Sequence, residues 1–200
     1  MFHREGSRDT LLVNGSSQIN FMKKFLNWPN DKLREVPSLR YSEKSSENFK
    51  NIVFLPWKIF DSDKILKDLE LFLDKLTNYS LSPLKVKIHP IAVNKDSQAK
   101  MKLEIENLFK KFSEKFCTES KKSISIFIGS TTGVVVALEK GLEVIHICFD
   151  PIFDSYSELL WPELNVENLT SNTFIYTLKK KGSFIKFGNG DETFKNFYNL

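Results

Sequence analysis

Cysteine is nearly missing from this chain: Cys117 and Cys148 are the only two in 200 residues. Two thiols cannot make a disulfide framework, and no Cys or His spacing matches a zinc site, so a reducing cytoplasm is the simplest compartment. Long hydrophobic runs are missing too. No uninterrupted apolar stretch approaches the roughly 20 residues that a membrane-spanning helix needs, and residues 1–6 carry no apolar core of a secretory signal. A membrane substrate would therefore be met from the surface, at the inner face. Strong charge of one sign is also lacking. The 29 Lys and Arg against 25 Asp and Glu leave a net +4, too weak a bias to argue for nucleic acid, though it fits an anionic ligand or peripheral contact with an anionic membrane. The Lys pairs and triplets at 121–122 and 179–181 read as solvated surface. There is no internal repeat and no low-complexity tract.

Phenylalanine, by contrast, is abundant at 18 residues, so much of the core should be aromatic. A hydrophobic fraction of 41% in 23.2 kDa suits one α/β domain, or one domain with an appendage. Residues 10–13 read as a short strand running into the turn Asn14-Gly15-Ser16-Ser17. Ile19, Phe21, Met22, Phe25 and Leu26 follow at helical spacing. Residues 27–50, rich in Pro, Ser, Asn and charge, read as an extended connection.

From residue 51 the pattern is regular. Apolar runs at 52–55, 84–88, 123–128 and 144–149 read as strands buried on both faces. Between them lie a helix capped by Asp61 or Ser62, with Ile65, Leu69, Phe72, Leu73 and Leu76 on its apolar face, and a long amphipathic helix over 97–117. A third helix over 132–140 is stopped by Gly141. This alternation predicts βαβ units and a mostly parallel sheet. Beyond Asp150 the pattern weakens to a loop over 151–162 with a short helix near 157–160. Residues 173–179 and 184–187 read as two strands, or as a helix and a strand.

Two segments stand where a buried strand stops. Lys87-Ile88-His89-Pro90 ends the second regular run, and Gly129-Ser130-Thr131-Thr132-Gly133 ends the third. In open α/β sheets, ligands bind outside the carboxyl ends of the strands. His89 can donate a hydrogen bond to a phosphate or add a positive charge beside it, and Pro90 fixes the chain exit. A turn with three hydroxyls between two glycines can close around phosphate oxygens. Ordinary helix capping accounts for one of those hydroxyls but not for all three. The turn matches neither a Walker A loop nor a six-residue dinucleotide fingerprint. Glu139 lies on the helix that follows and is weighed as a ribose ligand against a solvated helix residue. Lys87 is read as alternating with His89 across the strand, so that the two face apart. Arg40, beside Tyr41 in the connection, can reach a phosphate or carboxylate. Asp150, Asp154 and Glu158 form an acidic cluster suited to metal or base roles only if a partner domain faces them.

With these residues in view, the chain resembles the donor-binding C-terminal half of a GT-B glycosyltransferase. The style is that of bacterial surface-polysaccharide enzymes such as sialyltransferases, polysialyltransferases and Kdo transferases, and of the glycerophosphotransferases of teichoic acid synthesis. His89-Pro90 is similar to the His-Pro motif of those families. Ser130-Thr131, or Thr131-Thr132, is similar to their Ser-Ser/Thr motif. The resemblance covers roughly residues 37–150. It implies a Rossmann-like three-layer domain over residues 51–200, with residues 1–50 a remnant of an N-terminal lobe plus linker. It also implies a nucleotide-activated donor sugar, CMP- or CDP-linked, and a glycan or lipid-linked acceptor. The donor phosphate and nucleotide would be held by His89, Pro90, Gly129, Ser130, Thr131, Thr132, Gly133 and Glu139, and His89 would serve catalysis by steadying the leaving phosphate. On this reading no metal and no separate cofactor is required. At 200 residues the chain is short for two lobes, so a separate N-terminal lobe is the expected partner. Two alternatives are carried beside it: a non-catalytic nucleotide-binding accessory module, and a nucleotide-sugar epimerase whose Asp and Glu would project into the same cleft.

Overall fold

Residues 9–42, 48–76, 81–117 and 123–189 are described by the structure, a computed structural model. The terminus at 1–6 and the Lys pair at 121–122 lie outside them. The chain opens with a small parallel βαβ unit. β1 (Leu11–Val13) pairs in parallel with β2 (Leu33–Glu35) across α1 (Ser16–Leu26). α1 ends at Asn27 in the left-handed conformation (φ 56°), where the next N–H, that of Trp28, closes on the Met22 carbonyl. β3 (Ser38–Ser42) follows. The stretch expected to be an extended connection thus holds two short strands and a turn of 3₁₀ helix at Asn30–Lys32. Its composition is that of loops; its order comes from partners distant in sequence.

The regular part begins at β4 (Ile52–Phe54), followed by α2 (Ser62–Lys75), β5 (Lys85–Lys87) and α3 (Asp96–Lys111). Next come β6 (Ile124–Ile128), α4 (Gly133–Glu139) and β7 (Glu143–Ile147). Of the two offered caps for α2, Asp61 takes the role: its carboxylate accepts from the Lys64 N–H at 2.9 Å. Gly141, at φ 79°, ends α4 as its sequence position suggested. After β7, Asp150 caps a four-residue helix, α5 (Pro151–Asp154), with Pro151 at its first position. The short helix falls here rather than near 157–160.

β8 (Leu164–Asn168) and β9 (Thr173–Leu178) then form a hairpin, and β10 (Phe187–Gly188) pairs in parallel with β3. The main sheet has the order β5-β4-β6-β7-β9-β8. Its first four strands are parallel, and β9 and β8 extend it antiparallel. The fold is therefore α/β, with a mostly parallel six-stranded sheet in a Rossmann-like, three-layer arrangement. β8 had no counterpart in the sequence reading.

Register sorts the core. Val53 lies between Val86 and Ile126, and with Ile145 and Ile147 joins the cluster filled by Ile65, Leu69 and Phe72 of α2 and Met101 and Ile105 of α3. Phe127, Val144 and Tyr176 belong to a second cluster with Val134, Ala137 and Leu138 of α4. The expected aromatic core is there: Phe54 and Phe127 stack with centroids 4.9 Å apart. Among the described residues no helix is long and apolar enough to cross a membrane.

The C-terminal segment ties the ends of the chain together. Ser17 N–H bonds the Ser183 carbonyl at 2.9 Å, Ser38 N–H bonds that of Lys186 at 2.8 Å, and the Gln18 amide reaches the Phe184 carbonyl at 2.8 Å. α1 and the start of β3 are thereby anchored on residues 182–186.

Candidate functional site

After β4 the chain moves to β5 on one side; after β5 it returns to β6 on the other side of β4. β4 and β6 are therefore neighbours whose connections leave in opposite directions. Such a switch point leaves a crevice outside the strands' carboxyl ends. A small cleft of about 90 Å³ lies there, lined by Leu55, Pro56 and Trp57 after β4, by His89 after β5, and by Ser130 and Thr131 after β6. A larger cleft of about 370 Å³ adjoins it, and His89 and Thr131 line both. The two motifs singled out in the sequence are brought to the same edge of the sheet.

His89 is half-buried, and its Nδ1 accepts the Ile91 N–H at 3.3 Å. In the neutral ring this leaves the proton on Nε2, which can then act as a donor. Pro90 follows as the first residue of a 3₁₀ turn, Pro90–Ala92, and lines the larger cleft. Lys87 lines that cleft as well. The expectation that Lys87 and His89 face apart is corrected: β5 ends at Lys87, and Lys87 and His89, two residues apart, both line the larger cleft. Lys87 Nζ sits 5.0 Å from the centre of the Phe54 ring, a cation–π distance.

The turn between β6 and α4 divides its roles. Ser130 is exposed and lines the small cleft, while Thr132 and Gly133 line the larger one. Thr131 Oγ1 accepts the Gly133 N–H at 3.2 Å, so this hydroxyl also supports the turn itself. The two glycines have packing reasons of their own. Gly129 has φ 69°, and a Cβ there would lie 2.4 Å from the Phe149 ring; a Cβ on Gly133 would lie 2.6 Å from the Phe127 ring.

Residues outside the regular region complete the larger cleft. Arg40 and Tyr41 of β3 line it together with Phe49, Phe54 and Phe127. The Arg40 guanidinium lies 5.1 Å from the Tyr41 ring centre. The Tyr41 hydroxyl is buried with no hydrogen-bond partner among the described residues, although buried polar groups ordinarily have one. Basic and aromatic side chains thus converge with hydroxyls, and no carboxylate stands among the described residues lining either cleft.

Glu139 lies apart from this group. It sits at the C-terminal end of α4, 4% exposed, and accepts N–H bonds from Gly182 (2.5 Å), Phe184 (2.7 Å) and Ile185 (3.0 Å). The carboxylate weighed for ribose is committed to fastening the C-terminal segment. The acidic cluster is likewise occupied. Asp150 accepts the Ile152 N–H, Asp154 those of Phe149 and Asp150, and Glu158 that of Val166. Among the described residues no group of His, Cys, Asp and Glu is arranged to hold a metal ion. Ser16 and Ser17 meet the C-terminal segment through their backbone N–H groups rather than facing the clefts.

Sequence reasoning passed over His146, the polar residue inside the apolar run of β7. It is 1% exposed, and its Nε2 lies 2.9 Å from the Gly129 carbonyl oxygen. Burial pushes its pKa below the ordinary value, against the opposing pull of the Gly129 carbonyl bond and of Asp154. Cys148, whose Sγ is 3.6 Å from His146 Nδ1, has its thiol pushed up to about 12, chiefly by burial. The available signal was a lone His in a strand buried on both faces, which must find a hydrogen-bond partner.

No protein-family model, no curated protein and no solved structure matches this chain.

Proposed function

We propose that the paired clefts bind the nucleotide of an activated sugar, and that the chain is the donor-binding part of a glycosyltransferase of surface polysaccharide synthesis. The observation that carries the binding reading is the convergence of Arg40, Lys87, His89 and the Thr131-Thr132 hydroxyls with aromatic rings, without a carboxylate, at the sheet's switch point. Cations and hydroxyl donors suit phosphate, and the partly exposed rings of Tyr41 and Phe54 suit a base. His89 Nε2–H donates to the phosphate that leaves with the nucleotide and steadies its developing charge, so the step needs no metal. The glycosyl-transfer part rests on the likeness of His89-Pro90 and the Ser/Thr turn to GT-B motifs. On that reading the work is done at the cytoplasmic side of a membrane, with a glycan or lipid-linked acceptor.

Calorimetric titration with CMP, CDP, UDP and GDP tests the reading. Binding by one of them is expected, with His89→Ala weakening it by about 1–3 kcal/mol. No heat from any of the four, or affinity unchanged in the variant, would reject the phosphate site.

A second reading, a nucleotide-binding module without catalysis, is favoured by one observation. The described lining offers no carboxylate to serve as the base that transfer to a hydroxyl requires. The epimerase alternative, which needs an Asp and a Glu in the cleft, draws no support from the same lining. Incubation with nucleotide sugar and an oligosaccharide acceptor separates binding from transfer, because the isolated chain is expected to bind and not to extend the glycan.

A further inference from the structure

We propose that His146 is a positioning residue for the ligand turn: its ring holds the Gly129 carbonyl from behind and thereby sets where Ser130 and Thr131 stand in the cleft. The ligand half of this inference rests on the nucleotide reading above; the geometric half does not.

Gly129 is held almost entirely by consecutive residues of β7 and its exit. Its N–H bonds the Ile147 carbonyl at 2.8 Å, its carbonyl faces His146 Nε2 at 2.9 Å, and the Phe149 ring fills the space a Cβ would need. A carbonyl oxygen can only accept, so Nε2 carries the proton and Nδ1 is the acceptor. The Cys148 thiol stands 3.6 Å from Nδ1 and supplies the donor that this tautomer requires. The Tyr156 and Tyr176 rings, 6.3 and 5.9 Å away, wall the imidazole in. Both ring nitrogens are satisfied and the orientation is fixed. The next residue along the turn, Ser130, is exposed and lines the small cleft, and Thr131 lines both clefts. The site's hydroxyls therefore take their placement from a side chain that touches no ligand.

Two substitutions isolate the donor. His146→Gln carries an amide N–H at nearly the reach of Nε2, whereas His146→Phe keeps a ring and removes the donor. In titrations with whichever of CMP, CDP, UDP and GDP the parent binds, the Phe variant is expected to lose roughly three- to tenfold in affinity while the Gln variant stays within about twofold of the parent. In NMR spectra the Ser130 and Thr131 amide resonances are expected to move in the Phe variant and to return in the Gln variant. Parent affinity in the Phe variant, with those resonances unmoved, would overturn the proposal. So would a ring ¹⁵N spectrum of the parent protein placing the proton on Nδ1, a measurement that stands even if the Phe variant does not fold. If the parent binds none of CMP, CDP, UDP and GDP, the nucleotide reading fails, and the amide and ring resonances alone decide the positioning role.

Discussion

Glu139 carries the clearest structural duty of any single side chain. A buried carboxylate is tolerated only when its oxygens are satisfied, and here three backbone N–H groups of residues 182–185 satisfy them. Glu139→Gln keeps the shape but turns one acceptor into a donor that faces N–H groups. The substitution is expected to destabilise the protein by about 2–3 kcal/mol, read from the urea midpoint, because charge-assisted bonds are lost and buried donors are left unpaired. Nucleotide affinity is expected to hold; a fall in affinity at unchanged stability would return Glu139 to the ligand. His89 and the 129–133 turn could be picked out from sequence because each sits at the end of an apolar run, and strand ends are where an α/β sheet gathers its ligand groups. The duties of Glu139 and His146 could not, since their partners lie 43 to 46 and 17 residues away; a lone His in a buried strand signals that a partner exists but not which one. Lys87 is legible in principle, because it stands two residues before His89 at the end of the same apolar run.

At the scale of elements, the pieces found from sequence are those with strong period and clear punctuation. α2 has a capping Asp61 and an apolar stripe, and the β6–α4–β7 stretch is marked off by Gly129 and Gly141. β8 escaped notice because its residues 164–168, an edge strand with only Leu164 fully buried, look like loop. β3 and β10 are strands only by virtue of each other. That mutual dependence makes Gly15 critical. Its backbone is extended, at φ −159°, so conformational strain is not the issue. A Cβ there would lie 2.3 Å from the Phe184 carbonyl oxygen and 2.4 Å from that of Ser183. Gly15→Ala must push residues 183–184 away, at an expected loss of about 1–3 kcal/mol. Hydrogen–deuterium exchange in the 182–188 segment is expected to rise while β6 and β7 stay protected. Unchanged exchange there would show that α1 docks by other contacts.

For the molecule as a whole, alternating strands and helices were enough to anticipate a parallel α/β sheet. Backbone bonding between the N-terminal βαβ unit and residues 182–188 was not foreseeable from pattern, since periodicity within each segment does not say which distant segment it pairs with. Two buried ionisable groups give the folded state opposing responses to pH. Asp68, 5% exposed, has its pKa raised by burial, against the pull of Lys64 and a hydrogen bond from Asn172. The folded state therefore binds its proton more readily than the unfolded chain, and this contribution to stability falls as pH rises from 3.8 through the folded pKa. His146 acts the other way. Burial holds its folded pKa below the ordinary 6.5, with Cys148, Tyr156, Tyr176 and Asp154 around it. Below pH 6.5 the unfolded chain takes up a proton that the folded ring resists, so this contribution is complete above 6.5 and is lost as pH falls toward the folded value. Urea midpoints measured between about pH 5 and pH 7.5 are expected to rise more steeply in the parent than in His146→Gln, whose amide does not titrate. Equal slopes in the two proteins would mean that His146 is as free to protonate in the fold as in the unfolded chain, against its enclosure behind the Gly129 turn.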